Sequence, residues 1–221
     1  MNQIAYIVIS ILCFVPAIIL HECAHGFVAS LLGDPTAKNS GRLTLNPVKH
    51  IDPFGTVVLP LILALSGMPV FGYAKPVPYN PRHFKNIRAG EALVGLAGPT
   101  ANLLLALVAA LIAWILWPFA NGLVMSNVVF AYFYLSFLPL FALVNLYLMF
   151  FNLIPVPPLD GASVIALFLP AKALPAYYRV QQYALPGLIG LPYFLHVNPI
   201  GISLNFTAVG LANLLFPFAV A

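Results

Sequence analysis

From Ile4 to Leu32 the chain is apolar for long enough to cross a bilayer, and the only Asp, Glu, His, Lys or Arg side chains within it are His21, Glu22 and His25. A hydrocarbon core about 30 Å thick takes roughly 20 helical residues, so the stretch spans as a helix with its backbone groups satisfied internally. Each ionisable group at that depth costs roughly 2–3 kcal/mol without a partner. Crowded into His21-Glu22-Cys23-Ala24-His25, they imply a ligand that holds them. The pattern is H-E-x-x-H, in which histidines one helical turn apart turn both imidazoles to one metal ion, and the glutamate between them is offset enough to reach an attacking water. Such a site hydrolyses.

The rest of the chain is of the same kind. Of its 221 residues, 62% are hydrophobic and 6% charged, which excludes a soluble core and describes a polytopic membrane protein. The net charge of +4 comes from nine Lys and Arg against five Asp and Glu. In so apolar a chain the basic residues read as topology markers, and no nucleic-acid partner is expected. Cys13 and Cys23 fall on one predicted helix, about 15 Å apart along its axis, too far to bridge. The first apolar segment carries the metal motif, so it is expected to be retained and not removed as a signal peptide.

Taken in order, span one covers 4–32, with Pro16 expected to kink it, and Gly33-Asp34-Pro35 ends it. In 35–88, Arg42-Leu43-Thr44-Leu45 alternates between Gly41 and Asn46-Pro47 and predicts a short strand. Residues 54–67 are apolar but short, the length of a re-entrant segment. Spans two and three are predicted at 90–117 and 124–151 with a loop at Asn121-Gly122, and three prolines then unwind the stretch Asn152 to Gly161. A short helix at 162–169 and apolar stretches near 182–196 and 200–220 complete the chain. The expected fold is an all-α polytopic membrane protein of about five to six transmembrane helices, with a small membrane-associated β-hairpin or re-entrant region after the first.

Two histidines do not complete a catalytic zinc site, which takes three protein ligands. The H-E-x-x-H-x-x-G-x-x-H solution fails because Val28 and Leu31 occupy its last two positions. Among the acidic residues, Glu22 is the expected base and Asp34 a capping or turn residue; Asp52 lies in a proline-rich loop and Glu91 opens span two. Asp160 remains, in an unwound segment at membrane depth where a carboxylate needs a partner. It can meet His21 and His25 only if an even number of crossings separates them, so 54–67 must dip in and return. The basic residues agree. With that topology Lys38, Arg42, Lys49, Lys75, Arg82, Lys85, Arg88, Lys172 and Arg179 all fall on one side, the cytoplasmic one.

Together His21-Glu22-Cys23-Ala24-His25-Gly26, Gly98-Pro99-Thr100-Ala101-Asn102 and the Asn152…Pro155…Leu159-Asp160-Gly161 run resemble the site-2 protease family of intramembrane zinc metalloproteases. The match covers roughly 1–165, and Gly41–Pro47 and Ala74–Pro81 resemble the branch without PDZ or CBS domains. The resemblance implies one Zn2+ held by His21, His25 and Asp160, Glu22 as the catalytic carboxylate, and cleavage of peptide bonds in membrane-embedded substrates. It implies a protease core at 1–165 followed by C-terminal transmembrane helices at 166–221, in a bacterial or archaeal cell membrane with the site toward the cytoplasm.

Asn152 is a second catalytic candidate, for hydrogen bonding to substrate or oxyanion, against a capping role at the end of span three. Asn145, on the same helical face, reads as interhelical glue, and Asn102 carries both readings. The alternatives are a metal-binding transporter, for which spans two to five offer no second polar station, and an inactive scaffold, whose usual loss of a ligand or glutamate is absent. Substrate and oligomeric state are not legible.

Overall fold

The computed structural model describes residues 3–58, 61–62, 65, 74–180, 183 and 199–218, and every regular element among them is helical. The helices are α1 (Gln3–Leu31), α2 (Thr36–Asn39), α3 (Ile87–Ser126), α4 (Val128–Asn152), α5 (Gly161–Phe168), α6 (Leu174–Arg179) and α7 (Pro199–Leu215). Of these, α1, α3 and α4 are long and apolar enough to cross a membrane. The expected stretch near 182–196 lies outside the described residues apart from Tyr183. Of 54–67, Pro53–Val58 forms a π-helical turn, capped by Asp52 through the N–H groups of Phe54 and Gly55 at 3.0 and 2.7 Å. Most of the remainder of that expected re-entrant segment is likewise outside the described residues.

Two sequence expectations need correction. The loop expected at Asn121-Gly122 is helix, and the break comes at Asn127, whose side chain accepts from the N–H groups of Val129 and Phe130 at 3.0 Å each. An N-cap with two bonds outweighs an Asn-Gly turn signal that a helix tolerates at about 1 kcal/mol. The strand expected at Arg42–Leu45 is bent chain without a ladder. Its backbone is captured elsewhere: Arg42 N–H by Ala37 O at 3.0 Å, and Thr44 O by His50 Nε2 at 2.8 Å.

The chain forms two compact units. The first comprises α1 up to Ala17, α3 from Pro99, α4 and most of α7. Its core places Ala106, Ala109, Ala110, Ala113 and Ala120 of α3 against Tyr134, Leu138, Ala142, Leu146 and Met149 of α4 and Ala208 and Ala212 of α7. Lipid tails are as apolar as leucine, so it is close approach of small residues that holds such helices together. Polar contacts add to it. Asn102 and Asn145, both fully buried, pair at 2.8 Å, and Asn102 also donates to Ala17 O at 3.3 Å. Both therefore serve as interhelical links, each worth about 1 kcal/mol.

The second unit runs from Ile18 to Gly98 and from Leu153 to Pro199. Gly33, at φ +98°, turns the chain out of α1 and delivers Asp34 into a fully buried position. Its carboxylate accepts from Thr36 N–H at 3.1 Å and Asn80 N–H at 2.7 Å, and meets His83 Nδ1 at 2.8 Å. The residue thus ties the turn at 33–36 to the stretch 80–83, the turn role its neighbours suggested. Burial would raise its pKa, but the hydrogen bonds from Thr36, Asn80 and His83 hold it below the ordinary carboxylate value. A depressed carboxylate pKa stabilises the fold above the unfolded value and loses that contribution as pH falls through the folded one, so the loss comes below about pH 4. Asp34→Ala should lower stability by about 2–3 kcal/mol at neutral pH, read as thermal unfolding in detergent, because buried donors are left unpaired.

Candidate metal centre

His21 and His25 sit one turn apart on the second-unit half of α1, and both are buried. Asp160 enters from the unwound stretch immediately ahead of α5. Two glycines set that approach. At Gly95 a Cβ would overlap Ser163 Oγ and lie 2.8 Å from Asp160 O, and at Gly161 it would overlap Leu153 O, so both allow the α5 entry to close in. Ser163 Oγ donates to Asp160 O at 2.7 Å, fixing the backbone that carries the carboxylate.

The three side chains converge. His21 Nε2 and His25 Nε2 are 3.1 Å apart, and Asp160 Oδ2 lies 3.1 and 3.4 Å from them. A tetrahedral ion with ligand bonds of 2.0–2.1 Å separates its ligand atoms by about 3.3 Å, close to these three edges. The protonation pattern points the same way. His25 Nδ1 lies 2.7 Å from Val94 O, a contact that is a hydrogen bond only when Nδ1 carries the proton and donates. In the neutral ring Nε2 then presents a lone pair toward a carboxylate and a second imidazole nitrogen. Asp160 Oδ2 is buried and has no hydrogen-bond donor among the described residues. Lone pairs gathered this closely repel unless a cation lies among them, so the donor set fits a metal ion. Among the described residues it is the one cluster of three or more His, Cys, Asp or Glu groups with that geometry.

Glu22 points its carboxylate at another partner, accepting from Val77 N–H at 3.0 Å. Asn152 belongs to the first unit, where it ends α4 and donates from Nδ2 to Leu148 O at 3.0 Å, the capping-type contact. Cys23 faces Thr44 O at 3.3 Å and remains a free thiol, as does Cys13.

The profile of Peptidase family M50 matches residues 120–191. A Bacillus subtilis protein named "Putative zinc metalloprotease YwhC" is 35% identical over 201 residues, 91% of this chain and 84% of that protein. The chain belongs to peptidase family M50, the site-2 protease family. Proteins named "Putative zinc metalloprotease Rip2" are also similar: that of Mycolicibacterium smegmatis is 34% identical over 165 residues, 74% of this chain and 58% of its own length. The Rip2 of Mycobacterium tuberculosis strain Erdman is 32% identical over 205 residues, 86% and 73% respectively. No solved structure matches.

For this M50 chain, sequence reasoning passed over two backbone contributors to the site and the steric role of a third residue. Val94 offers a backbone carbonyl to His25, and Val77 a backbone N–H to Glu22; neither role depends on the side chain. Gly98 is a steric requirement, since a Cβ there would fall 2.5 Å from His21 Cε1 and from His25 Nε2. The sequence shows it as the start of the Gly98–Asn102 motif inside an apolar span, where a glycine costs about 1 kcal/mol against alanine and so has a packing reason.

Proposed function

We propose that this M50 peptidase is an intramembrane zinc endopeptidase that hydrolyses peptide bonds in or near transmembrane segments of other membrane proteins. The observation that carries the reading is the convergence of His21 Nε2, His25 Nε2 and Asp160 Oδ2, with the His25 proton committed to Val94 O. These residues would hold one Zn2+ per chain. When bound, zinc supplies Lewis acidity that lowers the pKa of water to around 7 and polarises a carbonyl.

The remaining chemistry belongs to the chain. Val94 O keeps the His25 proton on Nδ1, so Nε2 stays a lone-pair donor throughout. Glu22, beside His21 on the same turn, takes the proton of the attacking water on its carboxylate and returns it to the leaving amine nitrogen. The apolar surroundings limit access of bulk water and strengthen each of these interactions.

The multi-pass reading adds the stretch near 182–196 and α7 to the three long helices, which gives about five spans. With the nine basic residues on one side, the site opens toward the cytoplasmic face of the cell membrane. In a background with Cys13 and Cys23 replaced, a single cysteine at Met125, which is 89% exposed at the end of α3, should react with an impermeant thiol reagent from outside. One at Tyr79 should stay unlabelled. Outside labelling at Tyr79 removes the topology and the cytoplasmic orientation together. For the activity itself, co-expression with a panel of single-span membrane proteins should release specific fragments with the wild type and none with Glu22→Gln. Identical fragment patterns from both would reject proteolysis by this chain.

A further inference from the structure

The run Lys75-Pro76-Val77-Pro78 passes α1 within the second unit outside any helix or strand. A residue ahead of a proline is driven out of the helical region, and the proline itself is fixed near φ of about −65°, so Lys75 and Val77 are biased to extended backbone and Pro76 and Pro78 have their φ set before any tertiary contact forms. The run is also pinned along its length. Lys75 N–H donates to His50 O at 2.9 Å, the Arg42 guanidinium donates to Lys75 O and Pro76 O at 2.7 and 3.2 Å, and Asn80 N–H donates to Asp34 at 2.7 Å. The Val77 side chain fills a notch left by Gly26, where a Cβ would lie 2.6 Å from Val77 Cγ1.

Within Pro76-Val77-Pro78 only Val77 has an N–H, and it is the one that donates to Glu22 Oε2, at 3.0 Å. A slip of one residue in either direction would set a proline nitrogen opposite the carboxylate. The prolines thus fix the register, and the anchors on both sides fix the depth. A glutamate carboxylate left to itself turns broadly about its last torsion, and a general base has to hold one oxygen toward the reacting atoms.

We propose that the Val77 N–H is the positioning group of the Glu22 carboxylate: it holds Oε2 and so leaves Oε1 as the oxygen that accepts and returns the proton. The inference rests on Glu22 being the general base, and its test separates the two. Amide hydrogen exchange over residues 74–80, followed by mass spectrometry on detergent-solubilised protein, reads the bond with no substrate present. Glu22→Ala should deprotect one amide of that peptide; Glu22→Gln, whose side-chain oxygen still accepts, should not. Equal exchange in the wild type and Glu22→Ala overturns the proposal even where the wild type is an active protease, and the result stands where no panel protein is cut.

The catalytic arm uses whichever panel substrate the wild type cleaves. Val77→Pro deletes the N–H and keeps the extended backbone, whereas Val77→Ala keeps the N–H and trims the side chain. Loss of a hydrogen bond to a charged group should lower kcat at least about tenfold in Val77→Pro, with KM within about threefold and zinc content at the wild-type level. Val77→Ala should cost no more than about threefold, since its backbone donor survives. An unchanged or raised kcat in Val77→Pro overturns the proposal, as does a loss that appears in KM or in missing zinc. Should Val77→Pro fail to accumulate, the exchange comparison decides alone.

Discussion

Glu22→Gln protein purified from membranes should carry as much zinc as the wild type and release no fragments from any substrate, a loss of turnover of at least about a thousandfold. The two halves of that result have separate causes. The cluster that would hold the ion consists of Nε2 of His21, Nε2 of His25 and Oδ2 of Asp160, and Glu22 contributes no atom to it. Glutamine has the same shape, and its side-chain oxygen can still accept from Val77 N–H, so the local packing should survive. What it lacks is basicity. An amide cannot take a proton from water at neutral pH, and among the described residues the cluster holds no carboxylate but its own ligand Asp160. Zinc measured by mass spectrometry on the purified variant decides the matter, because a drop in metal content would move Glu22 into the ligand set and leave the base unassigned.

Gly98→Ala should abolish zinc binding, and activity with it, while the protein still inserts and folds. The new Cβ would arrive 2.5 Å from both His21 Cε1 and His25 Nε2. Real Cβ atoms do not approach other atoms so closely, so an imidazole has to leave. His25 cannot retreat without breaking its 2.7 Å contact with Val94 O, which lies one turn earlier on the same helix as the substitution. Displacing even an outer partner of a metal ligand typically costs 10–100-fold in affinity, and here both rings are struck, so zinc affinity should fall by at least about a hundredfold. Helix propensity acts in the opposite direction, since alanine is favoured over glycine by about 1 kcal/mol inside a helix, so with zinc stripped from both proteins the variant should melt close to the wild type. Gly122→Ala on the same helix, where a Cβ meets nothing within 4 Å, is the matched control and should leave zinc content unchanged. Asp160→Ala should lose zinc as Gly98→Ala does, by removing a ligand instead of displacing two. Full zinc retention in Gly98→Ala would place the ion away from the two histidines.

What was legible in the sequence was whatever is local or scarce. The His21 and His25 pairing needs only one helical turn, and helical spacing is visible in the letters. Asp160 was reachable because the chain has five acidic residues, so elimination left few choices, and the unwinding prolines ahead of it marked a carboxylate that needed a partner. The strand at Arg42–Leu45 was misread because alternation says which faces are apolar but not where the backbone bonds go. There the guanidinium of Arg42 and the ring of His50 close the segment onto its own surroundings. The end of α3 was misplaced because Asn121-Gly122 is the louder turn signal, while Asn127 is defined by two bonds to amides that follow it. Val77 and Val94 act through backbone atoms that every residue possesses, so no side-chain pattern announces them; the flanking prolines of Val77 were the only written trace.

The carboxylates described above also bear on how the metal can be counted. Asp34 is sealed in by its loop partners, Asp52 is occupied by two backbone amides, and Glu22 is held by a third. With Asp160 in the cluster, Glu91 alone is left over from the five acidic side chains. A chain so poor in spare anionic oxygen has little with which to scavenge stray divalent cations from buffer or resin. If the proposed centre holds the ion, elemental analysis of the whole protein reads it against a low carboxylate background, and a fractional stoichiometry then measures the fraction of molecules in which that centre is assembled.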